Sequence, residues 1–204
     1  MTDRKPSRDD IEILERRTLF QGVFRIDRYR LRHRSFNGHW CPEIRRELFE
    51  RGHAAAVLIY DPKRDSVALV EQFRVGAMAA GRHPWVIEVV AGIIEGDETP
   101  ENVVRREAVE EAGIEVGELE PMVEYLASPG GTSETCKLFC GRADLSHAGG
   151  IHGLPEEGEE TRVLVVPAAE AFAWVRQNRV ENATSVIALQ WLELNRDKLR
   201  RKWS

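Results

Sequence analysis

Three glutamates on one short stretch raise the first chemical question. In Glu101-Asn-Val-Val-Arg-Arg-Glu-Ala-Val-Glu-Glu-Ala-Gly113, Glu107 and Glu111 stand four residues apart and Glu110 stands three from Glu107. On a helix all three fall within one arc, where like charges repel by roughly 0.2–0.5 kcal/mol per exposed pair and by more near a packed surface. Something positive should therefore lie over them, either arginine or a divalent cation. Arg106 is expected at the far edge beside Glu110, which leaves Glu107 and Glu111 without an obvious local partner. Carboxylates with open positions are the hard oxygen ligands that Mg²⁺ or Mn²⁺ accepts. Taken alone, however, such a fragment is more often a solvated helix face, so the surrounding spacing must decide.

That spacing is specific. Gly92, five residues, Glu98, seven residues, Arg106-Glu107-Ala108, one residue, Glu110-Glu111, one residue and Gly113-Ile114 complete a continuous pattern. It resembles the signature of the Nudix hydrolases, with every fixed position filled. The only soft departure is Ala108, where a larger aliphatic is usual, and that concerns packing more than chemistry. The resemblance implies that Glu107 and Glu111 are metal ligands, helped by the backbone carbonyl of Ala91, with Glu110 a weaker candidate. It casts Glu98 and Arg106 as a structural ion pair, and Gly92 and Gly113 as backbone residues at the two ends of the loop–helix–loop. The implied reaction is hydrolysis of a nucleoside diphosphate linked to a second moiety. Clustered cations suit it, because they neutralise the diphosphate and activate a water.

Further residues bear on which diphosphate. Ser128-Pro-Gly-Gly-Thr-Ser-Glu134 follows the box, with Pro129 sixteen residues beyond Gly113. A Pro-Gly-Gly run is by itself only a turn, but at this offset it resembles the marker of the ADP-ribose pyrophosphatase branch. Arg45 to Ala55, Glu71-Gln-Phe-Arg74 and the run from Ser185 to Leu192 are similar to the same bacterial enzymes, so the likeness covers nearly the whole chain. It implies hydrolysis of ADP-ribose to AMP and ribose 5-phosphate, and a homodimer that exchanges N-terminal strands. Arg46, Glu47, Arg74, Ser128, Pro129 and Glu134 become substrate-contact candidates. Arginine suits a diphosphate through its planar fork of donors. Val23 stands where an aromatic residue often stacks on adenine, with Phe24 next to it, and the adenine contact stays open. In the acidic run Gly153 to Thr161 the resemblance implies Glu157 as general base and Glu159 as a further metal contact. Charge runs of this kind are otherwise usually solvated loops. Alternatives are hydrolysis of another nucleoside diphosphate sugar, such as GDP-mannose or ADP-glucose, and a non-catalytic ADP-ribose sensor. Loss of the helix glutamates would favour the sensor, and all three are present.

These residues need elements to hold them. Thr99-Pro100 predicts a helix start as N-cap and first-turn proline, and Gly113 predicts its end. Val104, Ala108, Ala112 and Val109 are expected on its packing side. Before it, strands are expected over 11–19, 23–36 and 40–49, with Asn37-Gly38 as a two-residue hairpin turn. A change of apolar phase between Ile26 and Tyr29 predicts a bulge or bend in the second strand, whose five arginines between Arg25 and Arg34 are expected to be solvated. Strands over 54–60, 66–73 and 85–91 precede a loop over 92–98. Strands over 122–127, 133–143 and 162–166 and helices over 168–178 and 184–202 complete the chain. The expected class is α/β (α+β), which in Nudix terms means a mixed sheet between helices with a small N-terminal antiparallel sheet. The expected division is 1–50, for dimerisation and substrate contact, and 51–204, the catalytic domain.

Composition limits the alternatives. The 204 residues suit one domain with a small appendage, and 42% hydrophobic with 31% charged residues is ordinary globular material. A net charge of -5 supplies no field for nucleic acid. No apolar run approaches the roughly 20 residues of a spanning helix, so no membrane partner is expected. The first ten residues lack the apolar core of a signal peptide. Cys41, Cys136 and Cys140 form no CxxC pair and suggest free thiols in the cytoplasm. Cys136 and Cys140 should share a strand face, but without a nearby His pair they make a poor metal site.

Overall fold

The computed structural model describes residues 5–154 and 158–203, which form two compact units. One comprises the described residues up to His53 together with 126–135; the other comprises 54–125 and the residues from Cys136 onward.

The first unit is a three-stranded antiparallel sheet in the order β1 (Ile11–Gln21), β2 (Arg25–His33), β3 (Ile44–Glu50). The expected irregularity exists, but it lies in β1. The β1–β2 register slips between Ile13 and Glu15 and between Thr18 and Phe20, while β2–β3 pairing runs without a shift from Arg25↔Glu50 to Leu31↔Ile44. The phase change in β2 is thus absorbed by extra residues on its partner strand. The turn also differs from expectation. Ser35 N–H bonds the His39 carbonyl and Gly38 N–H bonds the Ser35 carbonyl, so three residues, Phe36 to Gly38, form the loop, with Gly38 at φ 87°. The arginines of β2 are not simply solvated. Arg28 meets Glu47 at 2.7 Å, Arg30 meets Glu43 at 2.8 Å and Glu15 at 2.9 Å, and Arg32 meets Glu12 at 2.6 Å. Glu47, Glu15 and Glu12 stand directly opposite Arg28, Arg30 and Arg32 on the neighbouring strands, which suits cross-strand pairing, while Glu43 reaches Arg30 from just before β3. Asp27 is buried at the centre and accepts bonds from Arg16, Thr18 and Arg25. Chiefly through Arg16, these hold its carboxyl below the ordinary range.

The second unit is a mixed sheet between helices. Its strands run β10 (Gly150–His152), β11 (Thr161–Pro167), β5 (Ser66–Phe73), β4 (Ala54–Asp61), β9 (Thr135–Arg142), β8 (Leu119–Leu126). Beside β4 and β5 lie two shorter strands, β6 (Trp85–Glu88) and β7 (Val90–Ile93). β4 and β5 pair with each other only over Ile59–Asp61 and Ser66–Ala68. Elsewhere they take different partners: β6 pairs with β5 and β7 with β4. The strand expected over 85–91 is therefore two strands that change partner at Val89. Gly92 and Ile93, expected in a loop, pair with Ala55 and Ala54. β10 and the short helix α1 (Val75–Ala79) carry too little apolar pattern to be read in advance.

β4 explains the layering. Ala55, Val57 and Ile59 belong to one core, with Val103, Val104, Ala108 and Ala112 of α2 (Pro100–Ala112). Ala56, Leu58 and Tyr60 belong to the other, with residues of α3 (Ala168–Arg176) and α4 (Ala183–Trp203). A strand covered on both faces has to read as a continuous apolar run. Cys136 and Cys140 lie buried, outside any disulfide, in the α3–α4 core. Among the described residues no helix is long and apolar enough to cross a membrane.

The ends of α2 follow the expectation. The Thr99 hydroxyl accepts from Asn102 N–H, Pro100 opens the helix, and Gly113 closes it at φ 64°. The packing side of α2 differs from expectation at Val109 and Glu111. At about 100° per residue, Val109 lies about 140° from Val104 whereas Glu111 lies about 20° from it. Accordingly Val109 is 51% exposed and Glu111 is 5% exposed. A Cβ at Gly113 would stand 2.4 Å from His152 Cε1, in a left-handed conformation. Gly113→Ala should therefore cost roughly 1–3 kcal/mol of stability, read as a lowered denaturation midpoint; an unchanged midpoint would mean that this helix end is not held as described.

Candidate active site

The partner change at Val89 and the C-terminal half of α2 bring acidic and basic groups to one place. Glu111 is buried within the packing stripe of α2. Its Oε2 accepts from the Ala91 amide at 3.2 Å and its Oε1 from Gln72 Nε2 at 3.4 Å. Burial, and after it the charge of Glu107, pushes the Glu111 carboxyl up to about 8, against the pull of the Ala91 amide, Arg74 and Gln72. Glu107 is also shifted upward, by burial first. Arg106 counteracts that shift, while Glu110 and Glu159 add to it. The Glu107 carboxylate lies against Gly92, where a Cβ would stand only 2.0 Å from its Oε1. Gly92 is thus needed for close approach.

Arg106 holds this face together more extensively than expected. Its Nη1 donates to Glu107 at 2.8 Å and to Glu110 at 2.9 Å, while Nε and Nη2 reach Glu98 at 3.3 and 3.4 Å. Glu107 therefore has a local partner, contrary to the helix arithmetic, because a guanidinium on a long stem serves three carboxylates at once. The Glu98–Arg106 contact fixes the loop to the helix.

The C-terminal carbonyls of α2 are also tied. Gly153 N–H donates to the Glu110 carbonyl at 3.0 Å, and the Thr161 hydroxyl donates to the Glu111 carbonyl at 2.5 Å. Gly153 and Thr161, at the two ends of the acidic run, are thus both tied to the helix that carries the glutamates. Glu159 bonds Leu154 through its amide, and its charge reaches Glu107. Glu157 lies outside the described residues. Arg74, the N-cap of α1, bonds Glu88 through Nε at 2.7 Å, and its charge reaches Glu111.

The remaining candidates belong to the first unit. Arg46 and Glu47 are exposed on β3, Arg46 bonding its neighbour's carbonyl and Glu47 pairing with Arg28. Ser128 and Pro129 lie in a turn closed by Gly131 and Thr132 amides on the Ser128 carbonyl, and Phe49 N–H bonds the Gly131 carbonyl. Glu134 lies 3.7 Å from Arg51. Val23 is fully exposed, while Phe24 meets Phe49 edge-on at 5.2 Å.

Three polar residues escaped the sequence reading. Gln72 follows Ala68 and Val70 on the same strand phase, Glu88 interrupts Val86-Ile-Glu-Val-Val90, and Thr161 is completely buried. A polar residue on an apolar phase was the available signal for the first two. Among the described residues no three His, Cys, Asp or Glu side chains form a ready metal cage. The groups that could hold a cation are Glu107 and Glu111, with backbone oxygen at Ala91. Buried Glu111 and half-buried Glu107, whose charge disfavours that of Glu111, make a donor set that a hard cation would relieve.

Comparison with known proteins bears on this arrangement. The NUDIX domain family model matches residues 50–192. An ADP-ribose pyrophosphatase of Escherichia coli (strain K12) is 50% identical over 197 residues, covering 97% of this chain and 94% of the relative. An ADP-ribose pyrophosphatase of Haemophilus influenzae is 44% identical over 200 residues, covering 97% and 92%. A crystal structure of an ADP compounds hydrolase superposes with a TM-score of 0.73 over 96% of this chain and 100% of that one, at 18% identity. That last likeness concerns the fold.

The raised carboxylates have a signed consequence for stability. Between the ordinary carboxylate range and about pH 8, the folded protein holds a proton on Glu111 that the unfolded chain releases. Stability is then fullest at the acid end of that window and falls as pH rises through it. In a chelator, the thermal midpoint should drop by several degrees between pH 5 and pH 8, and Glu111→Gln should flatten the slope. Equal slopes in the two proteins would disprove this account of Glu111.

Proposed function

The chain belongs to the Nudix family, and from that premise we propose that it hydrolyses ADP-ribose to AMP and ribose 5-phosphate. The observation that carries the reading is the buried Glu111 beside Glu107, built onto Ala91 and Gly92. The substrate follows from the identity to ADP-ribose pyrophosphatases over nearly the whole chain. Nudix hydrolases generally use divalent metal ions, and the hard oxygen donors here favour Mg²⁺, with Mn²⁺ as a substitute. When bound, such an ion supplies charge neutralisation and lowers the pKa of a water.

The protein's own residues then divide the work. Glu107 and Glu111 bind the cation, with the Ala91 carbonyl and Glu159 as further oxygen donors. Arg106, held to Glu98, keeps the helix face aligned, and Gly92 leaves room for the Glu107 carboxylate. Arg74 takes charge from the diphosphate, and Arg46, Glu47, Ser128, Pro129 and Glu134 contact the rest of the substrate. Glu157, outside the described residues, removes a proton from the attacking water as general base.

The same reading makes the working form a homodimer that exchanges N-terminal strands. β1 exposes Ile11, Ile13 and Phe20 by half or more, an apolar surface that a second copy would cover. The partner is otherwise a small molecule, with neither nucleic acid nor membrane engaged. The setting is cytoplasmic, where three cysteines outside any disulfide stay reduced.

Purified protein given ADP-ribose, ADP-glucose, GDP-mannose and a dinucleoside polyphosphate, with and without Mg²⁺, should turn over ADP-ribose fastest and only with the metal. No turnover of any would refute the enzyme, and faster GDP-mannose hydrolysis would refute the substrate. Glu111→Gln should lower kcat by roughly 10²-fold or more. Light scattering should return about twice the 23.2 kDa chain mass; a value near the single-chain mass would rule out the dimer.

A further inference from the structure

Glu88 is a carboxylate with 6% exposure in the run that carries Ala91 and Gly92. A buried charge must be paired, and both of its oxygens are. Oε2 accepts from Arg74 Nε at 2.7 Å, and Oε1 accepts from Asn182 Nδ2 at 2.6 Å. The chain of contacts continues into the C-terminal helix. Asn182 Oδ1 accepts from the Ser185 amide at 3.1 Å and from its hydroxyl at 3.2 Å, which is the N-cap geometry of α4. Completely buried Ser185 in turn accepts from Val89 N–H at 2.9 Å, at the residue where β6 gives way to β7.

Each side chain from Arg74 to Ser185 in this relay is therefore held by at least one named bond. Glu88 cannot rotate without breaking either the Arg74 or the Asn182 bond, and Asn182 cannot move without uncapping α4. At the other end Arg74 is half-exposed, and its amide is fixed on the Pro84 carbonyl at 2.7 Å. The carboxylate engages Nε, and a guanidinium has further donors in its rigid fork for a second anion. A long arginine side chain otherwise samples many rotamers, so a buried carboxylate on Nε selects one.

We propose that Glu88 and Asn182 are positioning residues that hold the Arg74 guanidinium toward the substrate diphosphate, coupling the N-cap of α4 to ligand binding. This rests on the reading of Arg74 as a substrate contact. A merely structural buried ion pair would alter stability and leave KM alone.

The test combines kinetics on ADP-ribose with thermal midpoints for Arg74→Ala, Glu88→Gln, their double variant and Asn182→Ser. Serine retains an N-cap oxygen but is too short to reach Glu88. Glu88→Gln should raise KM roughly 10-fold or more while kcat changes less, and the double variant should be no worse than Arg74→Ala alone. Asn182→Ser should keep its midpoint near wild type and still raise KM. Should Glu88→Gln fail to fold, Asn182→Ser alone carries the test. Raised KM in Arg74→Ala with wild-type KM in Glu88→Gln or in Asn182→Ser overturns the positioning role. Independent, multiplying effects of Arg74→Ala and Glu88→Gln overturn it as well. Wild-type KM in Arg74→Ala overturns it at its base, by removing Arg74 from the substrate.

Discussion

A carboxylate set within the packing stripe of a helix is the constraint around which the catalytic unit is organised. Glu111 occupies the angular position where α2 would ordinarily place a Val or Leu, and burying an ionisable group there is unfavourable unless polar partners are supplied. The Ala91 amide, Gln72 and the Arg74 charge are those partners, and the Thr161 hydroxyl holds the Glu111 backbone carbonyl. Each comes from a different element, so the fold around α2 is in large part an arrangement for delivering them. Stability alone would be better served by an apolar residue, and a site that keeps the acid is trading stability for chemistry.

The second organising device is the distribution of positive charge. The acidic excess of the chain says little about a diphosphate, because the relevant charges are local. Arg106 neutralises the outer edge of the glutamate arc, facing Glu98, Glu107 and Glu110. Arg74 stands on the other side, near Glu111. Neither arginine cancels the cost of burial, which leads the upward shift of both inner carboxylates.

Much of this was legible in the residues themselves, for physical reasons. Thr99, Pro100 and Gly113 bracket α2 because caps act locally, and the apolar run of β4 announces a strand buried on both faces. Other features depend on partners distant in the chain. The irregularity sensed in β2 was real, but sequence phase cannot tell which of two paired strands takes the extra residue. Hydrophobicity places Val109 on the packing side, whereas the helical angle puts Glu111 there instead. Glu88 looked like an interruption of an apolar strand, since its partners Arg74 and Asn182 lie 14 and 94 residues away. The Arg106 contact to Glu107 was missed because a helical wheel has no side-chain length.

The run from Trp85 to Ile93 has a consequence for how this protein can vary. Its first half is registered against β5 and its second half against β4, with Val89 as the only residue between. The run therefore works as a measuring rod between two neighbours, fixing the separation of Glu88 from Ala91 and Gly92. A substitution within it disturbs one contact, whereas losing or gaining a single residue would put one half out of step with its strand. Length should thus be conserved more strictly than identity along this stretch, while the turns outside the sheet are free to grow.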